Sequence, residues 1–579
     1  LLLFVLTTVA WAALLGLTGF LAVKSKGIFL NSGRVQSFSA ACWRRFGALS
    51  LHPRKCMVAI IILAIVLRLL ALPILTVPYG RSHDEFSYIL AGQTFALGRL
   101  TNPTPPLWQF FETEHVLMHP TYMSKYPPVP GLFLALGILF GNIWFGVLIS
   151  FALMCGLVYW MAQAYLPSRW ALMAGVLPLV HPGIASYWCN SYFGGATPAI
   201  GGALVLGSCG RLYRKVSALS LSLLVLGLAI LANTRPFEGA AVAVAPLMVF
   251  AFSVLVKHKP ALAEILKKCP LPVLLALLLL AAMLYYNYCL TGNALLLPYI
   301  EWQRQYSPIP LSLFSKMGTI PHYNSTILRD NYVTCDYAVY SKFLTWQGLF
   351  DAVVNERFIG MQQYFVGITL VPIAFAALWG WKDRKMLVPW LSLLTLIVAI
   401  SSTAVGFQRH YPSPGTAAIE VLLVQGFRHL RLFKWKMIPV GIPLARVFVA
   451  MCAVGILCGF ASLPGLQDRI QHMQDEFPRV AIMKKLNAIP GKHLIVVHYA
   501  EGHDPRREYV INEPDIDKAN IVWARDFGDE KNKELLEHFR DRHIWLFDPD
   551  NKPEPRLYTW AESRGADLSK KVDNSNWTH

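Results

Sequence analysis

A chain of 579 residues that is 55% hydrophobic, only 15% charged and of mean hydropathy +0.43 falls outside the ordinary soluble class, where charged residues approach about a quarter of the sequence. The net charge of +18 brings no basic stripe with interleaved aromatics, so nucleic acid is excluded as the expected partner and a lipid bilayer takes its place. Ten cysteines are scattered, mostly in apolar segments, without metal-ligand spacing; Cys189 and Cys335 alone fall in segments expected outside the cytoplasm, which leaves a disulfide between them open.

Apolar runs of bilayer length recur along the chain and predict an α-helical polytopic membrane protein of about 12 spans. They lie at 1–23, 57–78, 143–165, 169–187, 194–210, 216–233, 237–256, 271–290, 358–379, 386–405, 414–431 and 437–463. The first is read as a span rather than a signal sequence, because no basic region precedes it and no small-residue cleavage site closes it. Lys24 to Lys55 holds seven Lys and Arg and no acid, and basic clusters recur at Arg211–Lys215, Lys257–Lys268, Lys382–Lys385 and Arg428–Lys436. Their recurrence on one side is the positive-inside pattern and makes those loops cytoplasmic. A bacterial inner-membrane protein then presents its periplasmic face through the loops 79–142 and 291–357, three short loops and the tail after 464. Val129–Phe140 is apolar but short, and is expected along the interface or partway into the bilayer. Trp108, Tyr122, Tyr126, Trp188, Tyr192, Tyr299 and Trp302 gather at these edges as expected of interfacial anchors.

Three segments follow from this: 1–56, an N-terminal span and basic loop; 57–463, the transmembrane region with its periplasmic loops; and 464–579, a small α/β domain. In the last, Leu494–His498, Asn520–Trp523 and His543–Phe547 read as strands and Asp529–Arg540 as a helix. It shows no glycine-rich phosphate loop.

The periplasmic face carries the chemistry. His83-Asp84-Glu85 follows an apolar run directly, and carboxylates at a membrane face are functional candidates because they are costly to desolvate. Asp84 is the candidate general base and Glu85 its orienting or pairing neighbour; a solvated turn, or an ion pair with Arg81 or Arg99, is the structural alternative. The same two carboxylates leave a divalent cation (Mg or Mn) open as cofactor, and no other cofactor is expected. Lys125-Tyr126-Pro127-Pro128 returns a cation to this face, either to hold a lipid phosphate or as a snorkelling anchor. Arg235 and Arg409 lie in later loops of the same face and are candidate phosphate ligands. His83, Tyr126, Asn190, Tyr192, Glu238, His410 and Tyr411 complete the expected substrate-binding set. Asn324-Ser-Thr and Asn576-Trp-Thr match the N-glycosylation triplet, which is common by chance.

Asp84-Glu85 in the first large non-cytoplasmic loop, and Lys125-Tyr126-Pro127-Pro128 at its end, resemble the motifs of the polytopic glycosyltransferases of the C-type fold. That class includes protein O-mannosyltransferases and lipid A aminoarabinose transferases. The resemblance covers roughly 57–463, with one residue inserted in the lysine motif, and the 464–579 tail is no general feature of the class. It implies a polyprenyl-phosphate sugar donor, a periplasmic acceptor (lipid, glycan or protein), Asp84 as base and Lys125 as donor-phosphate ligand. Arg235 and the Arg409-His410-Tyr411 group rest on loop placement alone. The rival expectations are a transporter or flippase of a lipid-linked substrate, which would show inverted repeats, and an envelope-glycan polymerase or ligase, which would rely on arginines.

Overall fold

The computed structural model describes residues 33–73, 75–181, 184–257, 259–366, 370–435, 437–461 and 478–563, together with Leu17 and Phe20. The expected span 1–23 (apart from those two positions) and the triplet at Asn576 lie outside the described residues. In chain order the helices used below are α1 (Gly33–Leu49), α2 (Pro53–Leu70), α3 (His83–Ala96), α4 (Pro128–Leu139), α5 (Ile143–Ala162), α6 (Ser168–Val180), α7 (Ala196–Leu212), α8 (Ala218–Ala232), α9 (Pro236–Phe252), α10 (Pro270–Thr291), α11 (Pro298–Tyr306), α12 (Leu387–Ser401), α13 (Thr416–Leu432), α14 (Gly441–Ala461), α15 (Pro478–Asn487) and α16 (Asp529–His538). Proline opens α2, α4 and α9, where its missing N–H falls among donors that have no intrahelical partner anyway.

Three segments among the described residues are helical, long and apolar enough to cross a membrane: Ile143–Ala162, Pro236–Val256 and Pro270–Thr291, of 20, 21 and 22 residues. Helices also occupy the other expected spans that fall within the described residues, but α6 has 13 residues and α8 and α12 have 15. At 1.5 Å per residue these reach about 20–23 Å, short of a hydrocarbon core of about 30 Å. Apolar run length in the sequence therefore exceeds helix length in the structure, and the count of 12 is not reproduced by the described helices. The expected span 358–379 divides into Gly360–Phe365 and Val371–Leu378.

The chain forms two compact units that do not follow chain order. The first comprises Leu1–Val77, Val147–Ala281 and Lys342–Leu466 and contains most of the apolar helices. The second comprises Pro78–Gly146, Ala282–Ser341 and Gln467–His579.

Two small sheets organise the second unit. In one, β3 (Thr121–Ser124) lies between β1 (Asn102–Pro103) and β2 (Val116–Leu117), antiparallel to both. The other has the order β5-β4-β6-β7, built from β4 (His493–Val497), β5 (Ile521–Arg525), β6 (His543–Asp548) and β7 (Arg556–Thr559). β4 runs parallel to β5 and β6, while β7 is antiparallel to β6. The three strands and the helix expected in the tail are β4, β5, β6 and α16, nearly to the residue.

Period-two alternation explains why this sheet is covered on both faces. Leu494, Val496, Val522 and Ala524 share one core with Leu535 of α16 and with Phe539, which follows that helix. Ile495, Val497 and Trp523 share another with Ile482 and Leu486 of α15. The first core also takes in Leu90 of α3 and Phe110, Phe111, Val116, Met118 and Tyr122 of the early loop. The tail and the loop bearing Asp84 thus bury apolar surface together. Trp302 and Tyr122, expected as interfacial anchors, are buried in the unit instead, as is Tyr306 beside Trp302. Cys189 and Cys335 are both free thiols.

Candidate functional site

Ser82-His83-Asp84-Glu85 is a capping box: the Ser82 hydroxyl accepts from the Glu85 N–H, and the Glu85 carboxylate accepts in return at the Ser82 N–H. Glu85 Oε2 also accepts from the Arg81 N–H at 3.0 Å. Glu85 is buried, with its carboxylate turned to the helix start, whereas Asp84 stays partly exposed in the same first turn. A carboxylate there is favoured by the helix dipole. The two acids therefore do different work. They do not present a converging pair, and among the described residues no group of three or more His, Cys, Asp or Glu is placed to hold a metal ion.

α3 is held close to α4 by two glycines. A Cβ on Gly92 would lie 2.7 Å from Leu134 Cβ, and one on Gly131 would lie 2.8 Å from Ala91 Cβ. This brings the first turn of α3 alongside the segment that leads into α4, and the Tyr126 hydroxyl there donates to Asp84 Oδ1. The Tyr126 ring stacks on Tyr88, one helical turn beyond Asp84, with centroids 4.5 Å apart.

Ladder register brings in the next pair. Val116 faces Ser124, so His115 and Lys125 face one another one step further along, and the Lys125 N–H donates to the His115 carbonyl at 3.2 Å. Their side chains meet as well, with Lys125 Nζ 2.8 Å from His115 Nδ1. His115 Nε2 lies 3.6 Å from Asp84 Oδ1. Ser87 on α3 fastens this junction, its hydroxyl donating to the His115 carbonyl at 2.7 Å and lying 2.7 Å from Ser124 Oγ. His115 adopts φ 63°, a left-handed conformation that costs a non-glycine residue about 1–3 kcal/mol and persists only where the surroundings enforce it.

Lys125 is 2% exposed. Its ammonium faces Trp302, Tyr299 and Tyr126 at 3.2, 4.7 and 5.2 Å from the ring centroids, an aromatic cage that replaces part of its hydration. Burial brings its pKa down to about 7, against the charges of Asp84, Asp336 and Glu114, which favour the protonated form. Burial raises Asp336 to about 6, with Lys125 pulling it back down. Glu114 is held well above the usual carboxylate range by burial and by the neighbouring charge of Glu508. His115 lies well below the ordinary imidazole value through burial and the adjacent Lys125, so it is neutral. His83 is lowered by burial too, and its Nε2 lies 3.3 Å from Glu114 Oε2.

Behind these groups the tail supplies a brace. Arg525, at the end of β5, donates from Nε and Nη2 to the Glu112 carbonyl at 2.9 and 2.7 Å and pairs with Glu508. Glu112 itself accepts from Asn324 at 3.0 Å, so the asparagine of that triplet is engaged inside the unit. Arg99, a suggested partner of the acidic pair, bonds both oxygens of Asp515 instead, at 3.0 and 2.9 Å.

The other expected site residues lie in the first unit. Arg235 bonds Glu238 at 2.9 Å, three residues along, and its guanidinium sits 4.4 Å from the centroid of the Tyr411 ring. His410 is buried, stacks on Phe193 at 4.8 Å and shares a hydrogen bond of 3.2 Å with the Tyr187 hydroxyl. Its imidazole is kept neutral by burial and by the charge of Arg235. Arg409 is exposed and Tyr192 buried. Asn190 Oδ1 accepts from Arg68, a buried arginine in α2, at 2.5 Å. His83, Asp84, Glu85, Lys125 and Tyr126 are thus brought together in one unit. Arg235, Glu238, His410 and Tyr411 form a cluster in the other.

Sequence reasoning missed His115, Glu114, Asp336 and the cage role of Tyr299 and Trp302. The signal was present in Glu112-Thr-Glu114-His115, three ionisable residues within the same loop as Asp84.

No protein-family model and no curated protein sequence matches the chain. Solved structures do. The chain is similar to ArnT from Cupriavidus metallidurans in the apo state, at 14% identity and a TM-score of 0.43, over 85% of this chain and 92% of that one. It is also similar to the archaeal oligosaccharyltransferase AglB from Archaeoglobus fulgidus, solved with an inhibitory peptide and a dolichol-phosphate, at 12% identity and a TM-score of 0.44, over 86% of this chain and 69% of that one.

Proposed function

We propose that the chain is a membrane glycosyltransferase that moves a sugar from a polyprenyl-phosphate donor to an acceptor on the periplasmic side of a bacterial inner membrane. The observation that carries this reading is the state of Asp84. Its Oδ1 is held by Tyr126 and faced by His115, while Oδ2 has no hydrogen-bond partner among the described residues and the side chain is 27% exposed. A carboxylate fixed at one oxygen and open at the other suits proton abstraction.

In the proposed step Asp84 Oδ2 takes the proton of an acceptor hydroxyl or amine as that atom attacks the anomeric carbon. The new acceptor–carbon bond forms as the bond from that carbon to the phosphate oxygen breaks, inverting the centre. The electron pair leaves with the polyprenyl phosphate. Lys125, when protonated, offsets that negative charge. His115, neutral and bonded to Lys125, keeps the cation aimed, and the rings of Tyr299 and Trp302 exclude water around it.

Transfer from a polyprenyl-phosphate sugar to extracted envelope lipids and glycans, in nanodiscs, tests the reading. Product formation lowered about 10²–10⁴-fold by Asp84→Asn is the expected result. Translocation of intact donor without transfer would replace this reading with the transporter one. Mass spectrometry of envelope glycans and lipids from a deletion strain would identify the sugar and acceptor.

A further inference from the structure

A second feature of the first unit is a basic, tryptophan-walled double cavity built from three chain-distant segments. One cavity of about 490 Å³ is lined by Arg44 and Ser50 from the region of α1 and by Arg169 and Trp170 at the start of α6. The other, of about 400 Å³, shares Arg169 and Trp170 and adds Trp43, Arg428 and Arg431. No acidic residue lines either one.

The arginines are arranged, and not merely abundant. Trp43 and Trp170 meet at 5.3 Å with rings inclined at 60°. The Arg431 guanidinium lies 4.4 Å from the Trp43 centroid and 5.9 Å from that of Trp170, and Arg169 lies 6.0 Å from Trp43. Stacking on indole fixes the plane of a guanidinium and leaves its N–H edge free for an oxyanion. Among the described residues Arg44, Arg169, Arg428 and Arg431 form no ion pair with a carboxylate. Positive-inside bias explains basic loops on this face, but it gives no reason for them to converge on shared cavities without counter-charge.

We propose that this double cavity binds the phosphate headgroup of an anionic phospholipid. The rim argues for a lipid over a free ion. Leu51, Leu432 and Ile442 line the cavities and are 73%, 64% and 43% exposed. Leu51 lies between α1 and α2, Leu432 ends α13 and Ile442 lies at the start of α14, so an oxyanion site and exposed apolar side chains sit side by side at helix ends. A headgroup with acyl chains satisfies both, as basic pockets between membrane helices do for anionic lipids. The proposal is independent of the transfer reaction, and the two stand or fall on separate measurements.

The test uses the full chain, delipidated in neutral detergent, and native mass spectrometry with phosphatidylglycerol or phosphatidylcholine. Phosphatidylglycerol is expected to be retained and phosphatidylcholine not. Arg169→Gln and Arg431→Gln should each weaken retention about fivefold. Arg45→Gln, which removes an exposed charge lining neither cavity, should leave it unchanged. An equal loss with Arg45→Gln, or equal retention of phosphatidylcholine, overturns the proposal. Inorganic phosphate that displaces phosphatidylglycerol and binds as tightly by itself would assign the site to a free anion and overturn the lipid. If the Gln variants fail to fold, Arg169→Lys and Arg431→Lys carry the test: partial retention beside an unchanged Arg45→Lys supports the site, and retention equal to wild type overturns it.

Discussion

The Lys125 ammonium lies 3.2 Å from the centroid of the Trp302 ring, inside the unit that carries Asp84. A snorkelling anchor would place its charge in water. This one is buried against aromatic rings and a neutral histidine, where its charge state is poised near physiological pH.

That poise predicts a pH limb in donor binding. Only the protonated amine attracts a phosphate. With a pKa of about 7 in the free protein, that attraction is full at lower pH and lost as pH rises through the pKa. The apparent Kd for a polyprenyl-phosphate sugar should therefore rise above pH about 7. Lys125→Arg keeps its charge throughout, so the limb should vanish even if the fork geometry lowers turnover. A limb that persists unchanged in Lys125→Arg would assign it to another group and return Lys125 to a structural role.

Asp84→Asn should lower turnover by about 10²–10⁴-fold while leaving the melting temperature close to wild type. The amide retains an oxygen for the Tyr126 hydroxyl, so the local bonding survives and the base alone is removed. Tyr126→Phe should have a smaller effect on turnover, because it frees the carboxylate without deleting it. Near-wild-type transfer by Asp84→Asn would remove Asp84 from the chemistry.

Much of this was legible in the sequence where local rules apply. β4, β5, β6 and α16 follow from alternation and helix periodicity, and Lys125 and Asp84 were singled out by residue type at the edge of apolar runs. His115 was not, because its place opposite Lys125 depends on the pairing of β2 with β3, strands of two and four residues with almost no pattern of their own. Trp302 reads from sequence as an interfacial anchor because sequence cannot tell an aromatic ring at a bilayer edge from one that cages a cation. The joining of the tail to the Asp84 loop was equally hidden. It rests on contacts such as Arg525 to Glu112, more than four hundred residues apart.

Glu85 separates two roles for the acidic pair. A capping carboxylate is replaced tolerably by an amide, since Gln also closes a capping box. Glu85→Gln should therefore keep most activity and stability, whereas Glu85→Ala removes the N3 acceptor of the capping box and should cost about 0.3–1.5 kcal/mol. Thermal unfolding and transfer rates measured on both variants check this. A collapse of turnover in a stably folded Glu85→Gln would make Glu85 a chemical group in its own right.

The tail is predicted to position the site, and Arg525 is the residue to test. Its guanidinium holds the Glu112 carbonyl three residues before His115, and it is buried with Glu508 as its counter-ion. Arg525→Ala leaves Glu508 buried without its cation, which should cost about 3–5 kcal/mol. Loss of activity in that variant is uninformative, since it confuses stability with geometry. Arg525→Met combined with Glu508→Gln removes both charges, keeps an acceptor for the Tyr499 hydroxyl and the Tyr509 and Val510 N–H groups, and should recover much of the stability. The double variant still leaves the Glu112 carbonyl without its donors, so the 112–115 segment is free to shift. A displacement of about 1 Å in His115 is enough to cost roughly 10²-fold in rate. Restored melting temperature with turnover still depressed is the expected outcome, and the pH limb assigned to Lys125 should move with it. Recovery of both stability and turnover would limit Arg525 to holding the fold together.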